Sequence, residues 1–182
     1  MKFPRIRREP RGSDTISALY GMIVAQARLP CFYRDYAVAD TVNGRFELIV
    51  LHLALVLDRL AQDPTLRELG QGVFDRFCQD MDHNLREMGI GDLAVPKEMK
   101  RMGEAYYGRA QAYQAALAAG DSRALVETIV RNIDGVSLPA AAPRLAAYMR
   151  EAVRDLKAQG GASLAAGGLH FPDPAAIPAV TG

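Results

Sequence analysis

The chain has 182 residues, of which 49% are hydrophobic and 24% charged, and its formal net charge is +1. This is ordinary soluble globular composition, long enough for one domain with a substantial core. A charge so close to zero gives no general attraction to a polyanion, so no sequence-specific nucleic-acid partner is expected.

Lys2 to Gly12 form a short basic arm, with Lys2, Arg5, Arg7, Arg8 and Arg11 set against Glu9. It lacks the apolar centre of a signal peptide. Two readings stand: a frayed terminus, or an electrostatic tether to anionic lipid or ribosomal RNA. Ser13 or Asp14 is expected to cap a first helix with the stripe Ile16, Leu19, Tyr20, Ile23 and Ala27. Arg28 complements its last turn and Pro30 stops it. Cys31, Phe32, Tyr33 and Tyr36 form a dense aromatic connection, expected to pack. Cys31 and Cys78 make no C-x-x-C motif and are read as free, buried thiols of a reducing compartment.

Asp40 or Thr41 caps a second helix that includes Phe46 to Leu60 and is apolar nearly all round, as befits the centre of a bundle. Its longest apolar run, Leu48–Leu57, is ten residues and contains His52. That is well short of the about 20 needed to span a bilayer. Arg45, His52 and Arg59 are spaced by seven, which puts them on one side of the helix. Either that line stays at the bundle surface, or it lies in a groove that receives an apolar partner.

Asp63-Pro64 opens a turn and a third helix starts near Thr65, with the stripe Val73, Phe74, Phe77, Met81, Leu85 and Met88. Gly89 follows where a left-handed cap wants no Cβ, and Pro96 opens a fourth helix with the stripe Met99, Met102, Tyr106, Ala110, Tyr113 and Leu117. The third helix is rich in acids (Asp75, Asp80, Asp82, Glu87), the fourth in bases (Lys97, Lys100, Arg101, Arg109). These are either complementary solvated faces or a recognition surface that includes Lys100 and Arg101. Tyr107 stands off the fourth helix's buried stripe, in line with Lys100, Gln111 and Gln114. An aromatic on a polar face suggests a binding anchor, unless a later helix covers it. Arg109 falls on the flank, where an acid of the third helix is the expected partner.

Asp121 caps a fifth helix (Leu125, Val126, Ile129, Val130, Ile133), closed by Gly135, and Pro139 and Pro143 bracket the entry to a sixth (Leu145, Tyr148, Met149, Ala152, Leu156). From Ala162 onward the chain is Ala, Gly and Pro without periodicity and reads as a flexible tail. The organisation expected is a basic arm over 1–12, one all-α domain of six principal helices over 13–161, and a tail over 162–182.

The words TISALYGMIVAQARLPCFYRDY and DTVNGRFELIVLHLALVLDRL, the hairpin just described and YYGR with Tyr113 behind it resemble the ubiquinol–cytochrome c chaperone family over about residues 15–118. These are assembly factors of the respiratory cytochrome bc1 complex. One word departs: AVADT at Ala37–Thr41, where the family more often has Gly-Val-Pro-Asp-Thr. The resemblance implies an all-helical, non-catalytic chaperone without cofactors that handles newly made cytochrome b or another bc1 subunit. The place it implies is cytoplasmic, or peripheral at the inner face of the membrane (the matrix side in a eukaryote).

Asp80-x-x-His83-x-x-x-Glu87 has the one metal-like spacing in the chain. A di-iron bundle needs a second carboxylate-x-x-His pair, and His52 and His170 have no carboxylate three residues before them. Interhelical salt bridging is the better explanation of these three residues. A helical-bundle metalloenzyme built on Asp80, His83 and Glu87 is the competing functional class. The chain has no Walker-type, G-x-G-x-x-G or G-x-S-x-G word.

Overall fold

A computed structural model describes residues 11–133, 135–136 and 141–179, and no described residue is in a strand. Six helices of 11 to 24 residues carry the architecture: α1 Arg11–Ala27, α3 Val42–Ala61, α4 Arg67–Glu87, α5 Val95–Ala118, α6 Ser122–Asn132 and α7 Ala141–Ala158. Two five-residue helices, α2 Pro30–Arg34 and α8 Gly161–Ala165, lie between and after them. The all-α expectation with six principal helices holds.

The apolar second helix of the sequence reading is α3, and it is the axis of the bundle. Twelve of its residues are buried, because α1, α4, α5 and α7 pack around it. α6 lies against both α5 and α7 and closes the far side. Thr41, rather than Asp40, caps α3 by accepting from the Gly44 amide at 3.1 Å. Asp121 caps α6 through the Arg123 amide at 2.9 Å. Gly89, with φ 82°, ends α4 as expected, and Ile90 N donates back to Leu85 O at 3.1 Å. Two helix starts differ: α1 begins at Arg11, ahead of Ser13 and Asp14, and Pro64–Leu66 form a 3-10 turn before α4 opens at Arg67.

The polar line on α3 is interrupted at its centre. His52 is fully buried, neither at the surface nor in an open groove. The rings of Phe32 and Phe171 stand edge-on to it at 5.4 and 5.2 Å. Its Nδ1 lies 2.7 Å from Leu48 O, which can only accept, so Nδ1 carries the proton and Nε2 accepts from the Tyr148 hydroxyl at 2.8 Å. Gln26 in turn donates to that hydroxyl at 3.0 Å. Burial pushes His52 down to about 4, against the smaller opposing effect of its bond to Leu48.

The segment after 161 is a packed strap and corrects the expectation of a flexible tail. Leu164 and Leu169 are buried, and so is Pro174 in a final 3-10 turn, Pro174–Ala176. The strap carries little periodicity because its backbone carbonyls do the work. Gln26 donates to Pro172 O at 3.2 Å, Tyr36 to Pro174 O at 2.6 Å, and Arg144 to Ile177 O at 3.0 Å. Gln159 clasps His170 through both its amide and its carbonyl oxygen, at 2.9 and 3.1 Å. Acceptors on the main chain need no particular side chain, so Ala, Gly and Pro suffice.

The departing word AVADT forms the turn between α2 and α3. Ala37 has φ 54°, a left-handed backbone that costs an L-residue with a Cβ about 1–2 kcal/mol. Gly135 closes over this turn: a Cβ there would stand 2.8 Å from Ala39 N and 2.9 Å from Ala37 O.

Candidate functional site

The face of α5 that the sequence assigns to the core is buried at Tyr106 and Tyr113, while Tyr107 is 63% exposed. No later helix among the described residues covers it. Tyr107 instead stands beside a groove of about 750 Å³ between α3, α5 and α7. Ala54 and Ala61 of α3, Ala110 of α5 and Val153 of α7 give it low apolar walls. A smaller hollow of about 190 Å³ lies toward Phe74 of α4, and both hollows share Leu57, Ala61, Tyr106 and Tyr107. The Tyr107 ring is braced from the protein side by Tyr106 at 5.3 Å and Phe74 at 5.8 Å. An aromatic held in place by two others loses little freedom on binding a partner.

The polar groups of the groove are unevenly used. Asp58 accepts from Gln62 and from Gln114, each at 2.8 Å, which ties α3 to α5 across the opening. Tyr113, 1% exposed, lines the groove. Burial pushes its hydroxyl far above the usual tyrosine range, and the neighbouring Glu47 charge adds to this while Arg109 opposes it. The hydroxyl is therefore a proton donor throughout the physiological range.

Glu47 and Arg109 form the one ion pair with a buried carboxylate among the described residues. Arg109 Nη2 donates to Oε1 at 2.5 Å, and Nε stands 2.5 Å from Oε2 as an ion pair without hydrogen-bond geometry, with Glu47 1% exposed. The expected partner of Arg109 was an acid of α4; the acid that meets it is Glu47 of α3. Glu47 went unremarked in the sequence, although a lone carboxylate beginning an otherwise apolar helix is a readable sign of a buried pair.

Of the other residues singled out from sequence, Lys100 and Arg101 are exposed on α5 but do not line the groove. Each pairs along its own helix, with Glu104 at 3.8 Å and Glu98 at 2.9 Å. Arg45 pairs with Asp40 at 2.7 Å beside the α3 cap. Arg59 reaches across to the end of α7, donating to Leu156 O at 3.0 Å and Gln159 O at 2.9 Å. Arg5, Arg7 and Arg8 lie outside the described residues, and Arg11 opens α1.

Asp80, His83 and Glu87 do not converge. Asp80 accepts from the Tyr20 hydroxyl of α1 at 2.8 Å, while His83 and Glu87 meet each other at 3.1 Å in solvent. Among the described residues no group of three His, Cys, Asp or Glu side chains is placed to hold a metal. Nor is the charge pattern of this hairpin interhelical: Arg86 pairs with Asp82 of its own helix and with Asp92 in the turn. No described helix is long and apolar enough to cross a membrane. The groove has apolar walls, an aromatic at the rim and hydrogen-bond donors within.

Comparison with known proteins places these features in a context. The family described as Ubiquinol-cytochrome C chaperone matches residues 34–171, a span that holds the groove and most of the strap. Among solved structures, the chain is similar to the crystal structure of the Cbp3 homolog from Brucella abortus. The two are 38% identical over 92% of this chain and 94% of that one, with a TM-score of 0.85. Comparison with curated proteins gives no match.

Proposed function

Since the chain belongs to the ubiquinol–cytochrome c chaperone family, we propose that it is a non-catalytic assembly chaperone of the respiratory cytochrome bc1 complex that holds newly made cytochrome b. The match across residues 34–171 carries this reading, and the groove between α3, α5 and α7 gives it a seat. Cytochrome b is a membrane protein, and before insertion its apolar segments need cover. Small alanines let a visiting helix approach closely, and Tyr107 supplies an anchor at the rim. Lys100 and Arg101 flank the approach along α5. The arm with Arg5, Arg7, Arg8 and Arg11 holds the chaperone at an anionic surface, either the inner face of the membrane or the ribosome.

Deleting the gene tests the reading. Spectroscopic cytochrome b and bc1 activity should both fall, and capture of newly made cytochrome b by the purified chaperone should accompany this. Normal levels of both in the deletion strain would overturn it.

A further inference from the structure

The groove holds more donors than its own residues use. Tyr113 lines it from α5, and its buried hydroxyl has no hydrogen-bond partner among the described residues. Arg150 lines it from α7, and its Nη2 is also buried without a partner. Lys157 adds a second positive charge two turns further along the same face of α7. Asp58, the acid among the lining residues, is already occupied by Gln62 and Gln114. The Glu47–Arg109 ion pair near Tyr113 is joined by the Nη2–Oε1 hydrogen bond. Buried donors without acceptors are rare in native proteins and call for an explanation. Here two of them, on two different helices, line one apolar groove beside a surplus of positive charge.

Building on the chaperone reading, we infer that the segment received by this groove is an apolar helix bearing a carboxylate, which Tyr113 and Arg150 take between them. The alanine walls suit a helix, the free donors call for an acceptor, and Arg150 with Lys157 calls for a negative one. A carboxylate in an apolar segment is costly to leave exposed to lipid or to its own apolar neighbours. A chaperone that satisfies it prevents misassembly at the position where the client is least able to protect itself. An ion pair formed in a partly desolvated groove also selects among apolar segments, since one lacking the acid leaves the donors unpaired.

The test uses the full chain and its variants Tyr113→Phe and Arg150→Gln, with newly made cytochrome b as the probe. Tyr113→Phe removes a hydroxyl that no protein group uses, so the unliganded variant should melt at or above the wild-type temperature. Capture of cytochrome b should nevertheless fall, by about tenfold for each variant, the size of one charge-assisted hydrogen bond. Peptides covering the apolar segments of cytochrome b, each Asp and Glu replaced in turn by Asn and Gln, then locate the acid. Its amide should bind the wild type as weakly as the parent peptide binds Arg150→Gln, with no further loss when the two changes are combined.

Equal capture by wild type and both variants would overturn the inference and leave the chaperone reading standing. So would a best-binding peptide without an acid, in which case the two donors serve ordered water only. Failure of the wild type itself to capture cytochrome b would overturn the chaperone reading, and this inference with it.

Discussion

Arg109 Nη2 donates to Glu47 Oε1 at 2.5 Å, and this ion pair fixes the rotation of α5 against the central helix α3. With Tyr113 one turn beyond Arg109, the same contact sets the depth at which that hydroxyl stands in the groove. A buried carboxylate whose countercharge is an arginine makes the fold sensitive in a particular order. Arg109→Met removes the countercharge of the buried Glu47 carboxylate and should cost about 3–5 kcal/mol of stability. Glu47→Leu combined with Arg109→Met removes both charges and should recover most of that loss. Urea denaturation of the single and double variants checks the order, and a double variant as unstable as the single would refute it.

His52 makes stability depend on pH below neutrality. The unfolded chain takes up its proton near pH 6.5, while the folded chain holds the ring neutral down to about 4. The folded pKa is depressed, so the contribution is whole above pH 6.5 and is lost as pH falls toward 4. The slope is about 1.4 kcal/mol per pH unit, so about 3 kcal/mol disappears across the window. Denaturation of wild type and His52→Gln at pH 7 and pH 4.5 isolates this contribution from the carboxylates. Parallel pH profiles for the two proteins would show that His52 is not its source.

Ala37 occupies left-handed backbone, with φ 54°. Ala37→Gly relieves the Cβ clash, and the greater freedom glycine has in the unfolded chain offsets part of the gain. The net expectation is a stabilisation of about 0.5–1 kcal/mol, read as a raised melting temperature with unchanged client capture. A lowered melting temperature would mean that this turn is not strained.

Tyr107→Ala separates surface from core by magnitude. At 63% exposure the ring leaves only its contacts with Tyr106 and Phe74 to lose, about 0.5–1 kcal/mol of stability. An interface anchor should cost about 2 kcal/mol or more of client binding. Calorimetry and capture on this one variant decide the matter, and intact capture would remove Tyr107 from the binding surface.

The six long helices were legible because each has a strong apolar period and a recognisable end, as at Thr41, Gly89 and Asp121. Tyr107 was legible for the same reason, since a departure from a period is as informative as the period. His52 was not. Spacing by seven gives the side of a helix on which a residue sits, but only tertiary packing decides that Phe32, Tyr148 and Phe171 cover that side. The strap was illegible because its bonds run from side chains elsewhere to its main-chain carbonyls, which leave no trace in residue type. The groove belongs to the same class: its donors come from α5 and α7, and nothing local to either helix says that they share a hollow.

The strap also sets an order in the life of the molecule. The pieces that close over His52, Tyr36 and Arg144 (Phe171, Pro174 and Ile177) follow α1 to α7 in the chain, so a ribosome makes them after every long helix. Helices made early wait, with one flank of their core open, until the strap has been made. A product stopped short of Phe171 therefore leaves the aromatic nest around His52 uncovered and more open to proteolysis. For the experimenter the same fact means that affinity tags and fluorescent fusions belong after a spacer that starts beyond Ile177.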